Sequence, residues 1–279
     1  MKRALTIILI FLILGFHAKA QQQEYPFTVQ KSGSKGKNII LIPGFMSSSS
    51  VWNETVTQLN KSNTCHVLQM AGFAGSKPVG QAKMSSWRES ISNYIKDQKI
   101  EKPIIIGHSL GGVLAMDIAA HHSNLIQSIV VVDALPSLTA LMNPTFKASE
   151  NPDCQQIVDY FTGMSPEQFK AMQTQTANGM SAIPEKQKEI IDWSLQSDRL
   201  FSAQMYCDFN NTDLRGTLQH IQVPSLILLN AQFSQIKDTM ETQFAGLKKK
   251  NIQFANTPMH FLMYDAKDWF MEKISAFIQ

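Results

Sequence analysis

The chain has 279 residues, of which 44% are apolar and 17% charged. That is enough to bury a sizeable core in one large domain or two small ones, and it excludes a disordered chain, a coiled coil or a disulfide miniprotein. The formal charge of +3 originates at the N-terminus: setting aside Lys2, Arg3 and Lys19 leaves 22 basic against 22 acidic residues, so bulk charge gives no support to a nucleic-acid partner.

In chain order, Lys2-Arg3 forms a positive n-region and Ala4 to Phe16 an apolar run. Ala18-Lys19-Ala20 then offers a small-x-small cleavage pattern. The run reaches only ~20 Å as a helix, short of the ~30 Å hydrocarbon core, so it does not read as a membrane anchor. Residues 1–20 are expected to be a signal peptide, giving an exported (periplasmic or secreted) protein that starts at Gln21 and has no stable membrane span.

Beyond it, Tyr25 to Val29 is strand-like and Ser32 to Lys37 reads as a turn. Short apolar runs at Asn38–Ile42, Thr64–Met70, Pro103–Ile106 and Leu125–Val132 alternate with helical spacing at Val51–Leu59, Met84–Ile95 and Leu110–Ala120. The alternation stops near Pro136 and resumes with Ser225–Leu229, a helix over Ile236–Leu247, a strand over Ile252–Ala255 and a closing helix over Lys267–Phe277. Buried strands alternating with amphipathic helices predict a doubly wound, mostly parallel α/β sheet. Residues 137–210 show helical patterning without a buried strand and read as a helical lid inserted into a core of residues 21–136 and 211–279.

Three cysteines in an exported chain leave at least one unpaired. Cys65 sits in an apolar run and reads as a buried free thiol. Cys154 and Cys207 are free to bridge in an oxidising compartment, and nothing in the sequence fixes their separation. No CxxC or HExxH pattern is present, so neither a metal nor another cofactor is expected.

Ile104-Ile105-Ile106-Gly107-His108-Ser109-Leu110-Gly111-Gly112 carries the chemistry: a strand, then G-x-S-x-G, then a helix. Such a turn forces the serine into strained backbone and lifts its hydroxyl above the sheet, over a helix N-terminus that favours a developing anion. By this motif the chain resembles the α/β-hydrolase family from about Asn38 to the C-terminus. The resemblance implies an oxyanion hole from the amides of Phe45 and Leu110, after Pro43-Gly44 where the family usually has His-Gly. It also implies a base at His260, after the last strand. His108 adjoins the nucleophile, and its side chain is expected to point elsewhere. His220 lies at the wrong end of the sheet, and His121-His122 reads as a helix end-cap.

The family most often places the acid after the strand Ser225–Leu229, where this chain has Asn230-Ala231-Gln232-Phe233. Two carboxylates keep the order Ser, acid, His: Asp133, ending the fourth core run, and Asp238, in the first turn of a helix. Asp133 is the preferred acid. These roles describe a serine hydrolase acting on a small-molecule acyl substrate, by default a carboxylic ester, through an acyl-enzyme on Ser109. Acyl transfer or peracid formation by the same serine, and a non-catalytic binding protein on a hydrolase scaffold, are the alternatives. Met142, Met164, Met172, Met180, Met205, Phe146, Phe161, Phe169 and Phe201 in the insertion either shape an apolar acyl pocket or pack the lid on the core.

Overall fold

The computed structural model describes residues Glu24–Gln279; the expected signal peptide lies outside them. Seven strands form one sheet: β1 (Phe27–Ser32), β2 (Asn38–Ile42), β3 (Thr64–Met70), β4 (Ile104–His108), β5 (Ser128–Val132), β6 (Ser225–Leu229) and β7 (Lys250–Phe254). Their order is β1-β3-β2-β4-β5-β6-β7, with β1 antiparallel to β3 and every other neighbouring pair parallel.

The chain moves outward from β2 to β3 through α1 (Asn53–Leu59), then returns beside β2 through α2 (Met84–Asp97) to β4. The winding therefore reverses between β2 and β4, and the crevice at their C-terminal ends is where open α/β sheets bind ligands. From β4 the chain continues through α3 (Leu110–His121) into β5.

Residues alternate faithfully between the two faces of the sheet. Ile40, Ile42, Ile105, Ile129 and Ile227 face α2 and α3, whereas Ile39, Leu41, Ile106, Val130 and Leu228 face α1 and the C-terminal helix. Burial on both faces explains why the central strands read as continuous apolar runs. Each such side chain contributes about 1.5–3 kcal/mol by leaving water.

Between β5 and β6 lie α4 (Thr139–Met142), α5 (Gln155–Gly163), α6 (Pro166–Met180), α7 (Pro184–Gln196) and α8 (Arg199–Asn210). Ser165 caps α6 through a reciprocal capping box with Gln168, with Pro166 opening the helix. Cys154, at the N-cap of α5, is disulfide-bonded to Cys207 of α8, and Cys65 is free and buried. After β6 come α9 (Ala231–Ser234) and α10 (Lys237–Gln243); α11 (Leu262–Asp265) and α12 (Lys267–Ile278) follow β7.

Several bounds differ from the sequence expectation. β1 runs through Ser32, because antiparallel pairing from Phe27↔Met70 to Ser32↔Cys65 carries an edge strand past its apolar residues. The run from Leu125 opens with a 3₁₀ turn over Ser123–Leu125, and the strand begins only at Ser128. The helix expected over Ile236–Leu247 is shorter, ending at Gln243.

Candidate active site

Ser109 joins β4 to α3 with φ 52° and ψ −120°, a left-handed conformation costly for a side chain with a Cβ. Close packing makes the turn possible. A Cβ on Gly107 would lie 2.0 Å from the Gly111 carbonyl oxygen, and one on Gly111 would lie 2.4 Å from that of Ile42. The small residues flanking the serine are therefore sterically required.

Gly44, in the loop after β2, packs against this elbow: a Cβ there would stand 3.2 Å from that of Ser109. The next residue, Phe45, and Leu110 at the start of α3 have backbone amides that donate to no acceptor among the described residues. Two unengaged donors thus flank the half-buried Ser109.

Asp133 leaves the end of β5 with φ 48°, held by its own amide on the Leu228 carbonyl at 2.7 Å. Its side chain is buried, and Oδ2 accepts from Nδ1 of His260 at 2.6 Å. That bond fixes the imidazole with Nε2 as its unprotonated edge. Asp238, the alternative acid, sits exposed in the first turn of α10 and makes no ion pair with His260.

Asn230 was missed in the sequence. It occupies the position after β6 where the family usually carries its acid, and here it serves the neighbouring strand's carboxylate. Its backbone amide donates to Asp133 Oδ1 at 2.8 Å and its Nδ2 to Oδ2 at 2.9 Å, while its own Oδ1 caps Gln232. The available signal was an asparagine standing where a carboxylate was expected.

His108 also departs from expectation. Rather than turning away from the site, its ring lies 4.5 Å from that of His260, and its Nε2 donates to the His260 carbonyl at 3.2 Å. Burial, reinforced by the nearby His260 charge, pushes its pKa well below the ordinary histidine value, so it stays neutral. The His260 loop is braced from the helical insertion as well: the Met180 carbonyl, ending α6, accepts from the amides of both His260 and Phe261. His121, His122 and His220 stand apart. His121 contacts Asp117, His122 contacts Glu89, and His220 closes a 3₁₀ turn before β6.

A cavity of about 560 Å³ opens between the Phe45 loop and helices α5 to α8. Of the insertion's Met and Phe residues singled out in the sequence, Met172, Met180 and Phe161 line it. Phe169, Phe201 and Met205 are buried in the core, and Met142 is exposed. Among the described residues there is no cluster of three metal-ligating side chains, and no helix is long and apolar enough to cross a membrane.

The strained serine elbow, the two free amides and the carboxylate-paired histidine all stand on one doubly wound sheet. A model of the alpha/beta hydrolase fold matches residues 37–232, and the chain belongs to that family. It is 24% identical over 200 residues to the pimeloyl-[acyl-carrier protein] methyl ester esterase of Vibrio atlanticus (strain LGP32), covering 70% of this chain and 75% of that protein. Against the enzyme of the same name from Vibrio cholerae it is 26% identical over 205 residues, covering 71% and 76%. In structure it is similar to the enol-lactonase of Burkholderia xenovorans LB400, with a TM-score of 0.76 and 14% identity over 90% of this chain and 96% of that one. A thermophilic esterase from Thermogutta terrifontis gives 0.74 and 16% over 93% and 95%.

Proposed function

We propose that this protein is a serine hydrolase that cleaves a carboxylic ester or related acyl compound through an acyl-enzyme on Ser109. The observation that carries this reading is the 2.6 Å Asp133–His260 bond on the sheet edge from which Ser109 emerges. In the mechanism it supports, His260 Nε2 takes the Ser109 proton as the hydroxyl attacks the acyl carbonyl. The Phe45 and Leu110 amides receive the tetrahedral oxyanion. His260 then protonates the leaving alkoxide, and water, activated by the same imidazole, releases the acid. Asp133 holds the tautomer and stabilises the imidazolium without itself becoming protonated.

The esterase names of the two Vibrio relatives support this chemistry. A non-catalytic binding scaffold would fit the absent carboxylate after β6 and Pro43 in place of the family's His; the Asp133 carboxylate on His260, oriented by Asn230, favours catalysis. Export of the chain remains part of the reading, and the Cys154–Cys207 disulfide favours an oxidising compartment.

Fluorophosphonate labelling tests the proposal. The wild-type protein is expected to label and Ser109→Ala not to; a folded wild type that stays unlabelled and hydrolyses no ester overturns it.

A further inference from the structure

The cavity lined by Phe45 and Phe261, the sequence neighbours of Gly44 and His260, has an asymmetry in its polar groups. Among the described residues that line it, none is charged. The hydroxyls of Ser47, Thr176 and Ser194 are already engaged, donating to the carbonyls of Phe45, Met172 and Ile190. Gln156 and Tyr160 are exposed at the rim.

Gln173 is different. It is 8% exposed and stands in the buried stripe Phe169, Gln173, Ala177 of α6, where an apolar side chain would serve the fold better. Its carboxamide makes no hydrogen bond to another described residue and borders the cavity. Its polar atoms are open to the cavity, so the uncommitted amide is placed to exchange its water for a polar group on a ligand that enters. The half-buried Tyr206 hydroxyl, also without a bond to a described residue, lines the same cavity against Phe45 and Phe161.

We propose that Gln173 is a specificity subsite that hydrogen-bonds an oxygen carried within the substrate's acyl chain. The substrate class is a neutral ester whose apolar acyl chain bears a hydroxyl or carbonyl group away from the scissile bond. A free carboxylate or ammonium on that chain is disfavoured, because the cavity offers no counter-charge to replace its water. The inference rests on the ester-hydrolase reading and goes beyond it by naming the substrate.

The test compares p-nitrophenyl octanoate with its 5-, 6- and 7-oxo derivatives, in wild type and Gln173→Leu. At one position the wild type is expected to favour the oxo ester about tenfold in kcat/KM, and Gln173→Leu to abolish that preference. Calorimetric affinities of octanamide and the matching oxo-octanamides, which need no turnover, are expected to show the same contrast. Equal ratios in both proteins overturn the subsite. Loss of all Ser109-dependent hydrolysis with the amide affinity contrast intact overturns the enzyme reading alone.

Discussion

On the proposed reading, Asp133 and Asn230 divide between two strands what one acidic residue after β6 usually does in this family. The carboxylate comes from the end of β5, and the carboxamide from the end of β6 orients it through two hydrogen bonds. Asp133→Asn is expected to lower kcat by about 10³–10⁴, because the imidazole loses its tautomer lock and its counter-charge. Asp238→Asn should stay near wild type. Asn230→Asp brings a second carboxylate against the first and should lower activity by like-charge repulsion. The exchanged pair, Asp133→Asn with Asn230→Asp, should recover part of the loss of Asp133→Asn, which steady-state kinetics on all four proteins will read. An active Asp133→Asn beside an inactive Asp238→Asn reverses the assignment. Ser109 and His260 were legible in the sequence, because one sits in a local motif and the other follows the last strand. The preference for Asp133 over Asp238 came from the sheet edge it shares with Ser109; its contact with His260 was hidden, since that depends on a distance across strands. Gln173 was equally hidden, one glutamine in the polar-rich stretch of α6.

At the scale of elements, the central strands announced themselves through runs buried on both faces. β1 announced itself less well, because an edge strand is specified by pairing as much as by burial. The insertion's helical character was legible, but not which of its methionines and phenylalanines face the cavity; helix rotation decides that, and several of them anchor the core instead. α5, which forms part of the cavity wall, is stapled to α8 by the Cys154–Cys207 disulfide. The bridge spans a sequence separation of 53 residues, and loop-closure entropy alone gives it about 4 kcal/mol. Replacing both cysteines by serine should lower the melting temperature. It should also lower kcat/KM for octanoate esters more than for acetate esters, while probe labelling of Ser109 persists. Equal losses for both chain lengths would place the effect of the staple on the core rather than on the cavity wall.

For the whole molecule, buried histidines set how stability depends on pH. His66 in β3 contacts the Tyr94 hydroxyl at 2.8 Å and Asn38 at 3.3 Å. Burial, with Lys31 adding to it, brings its pKa down from 6.5 to about 4. His108 is displaced in the same direction. The unfolded chain takes up a proton on each near pH 6.5, whereas folded His66 resists until about pH 4. Within that window the unfolded state binds more protons, so stability falls as the pH falls. Thermal melts from pH 7 to 4 should show a progressive decline, shallower in His66→Gln; parallel curves would remove His66 as a source.

The Met180 carbonyl belongs to two structures at once, ending a helix that walls the cavity and anchoring the loop that presents His260. A change at that helix end therefore reaches the His260 loop through two backbone bonds, while Asp133 still holds the imidazole itself. On the proposed reading, the wall of the cavity and the footing of the base are thus one connected part, so a substitution that repacks the end of α6 is expected to alter proton transfer together with chain-length preference.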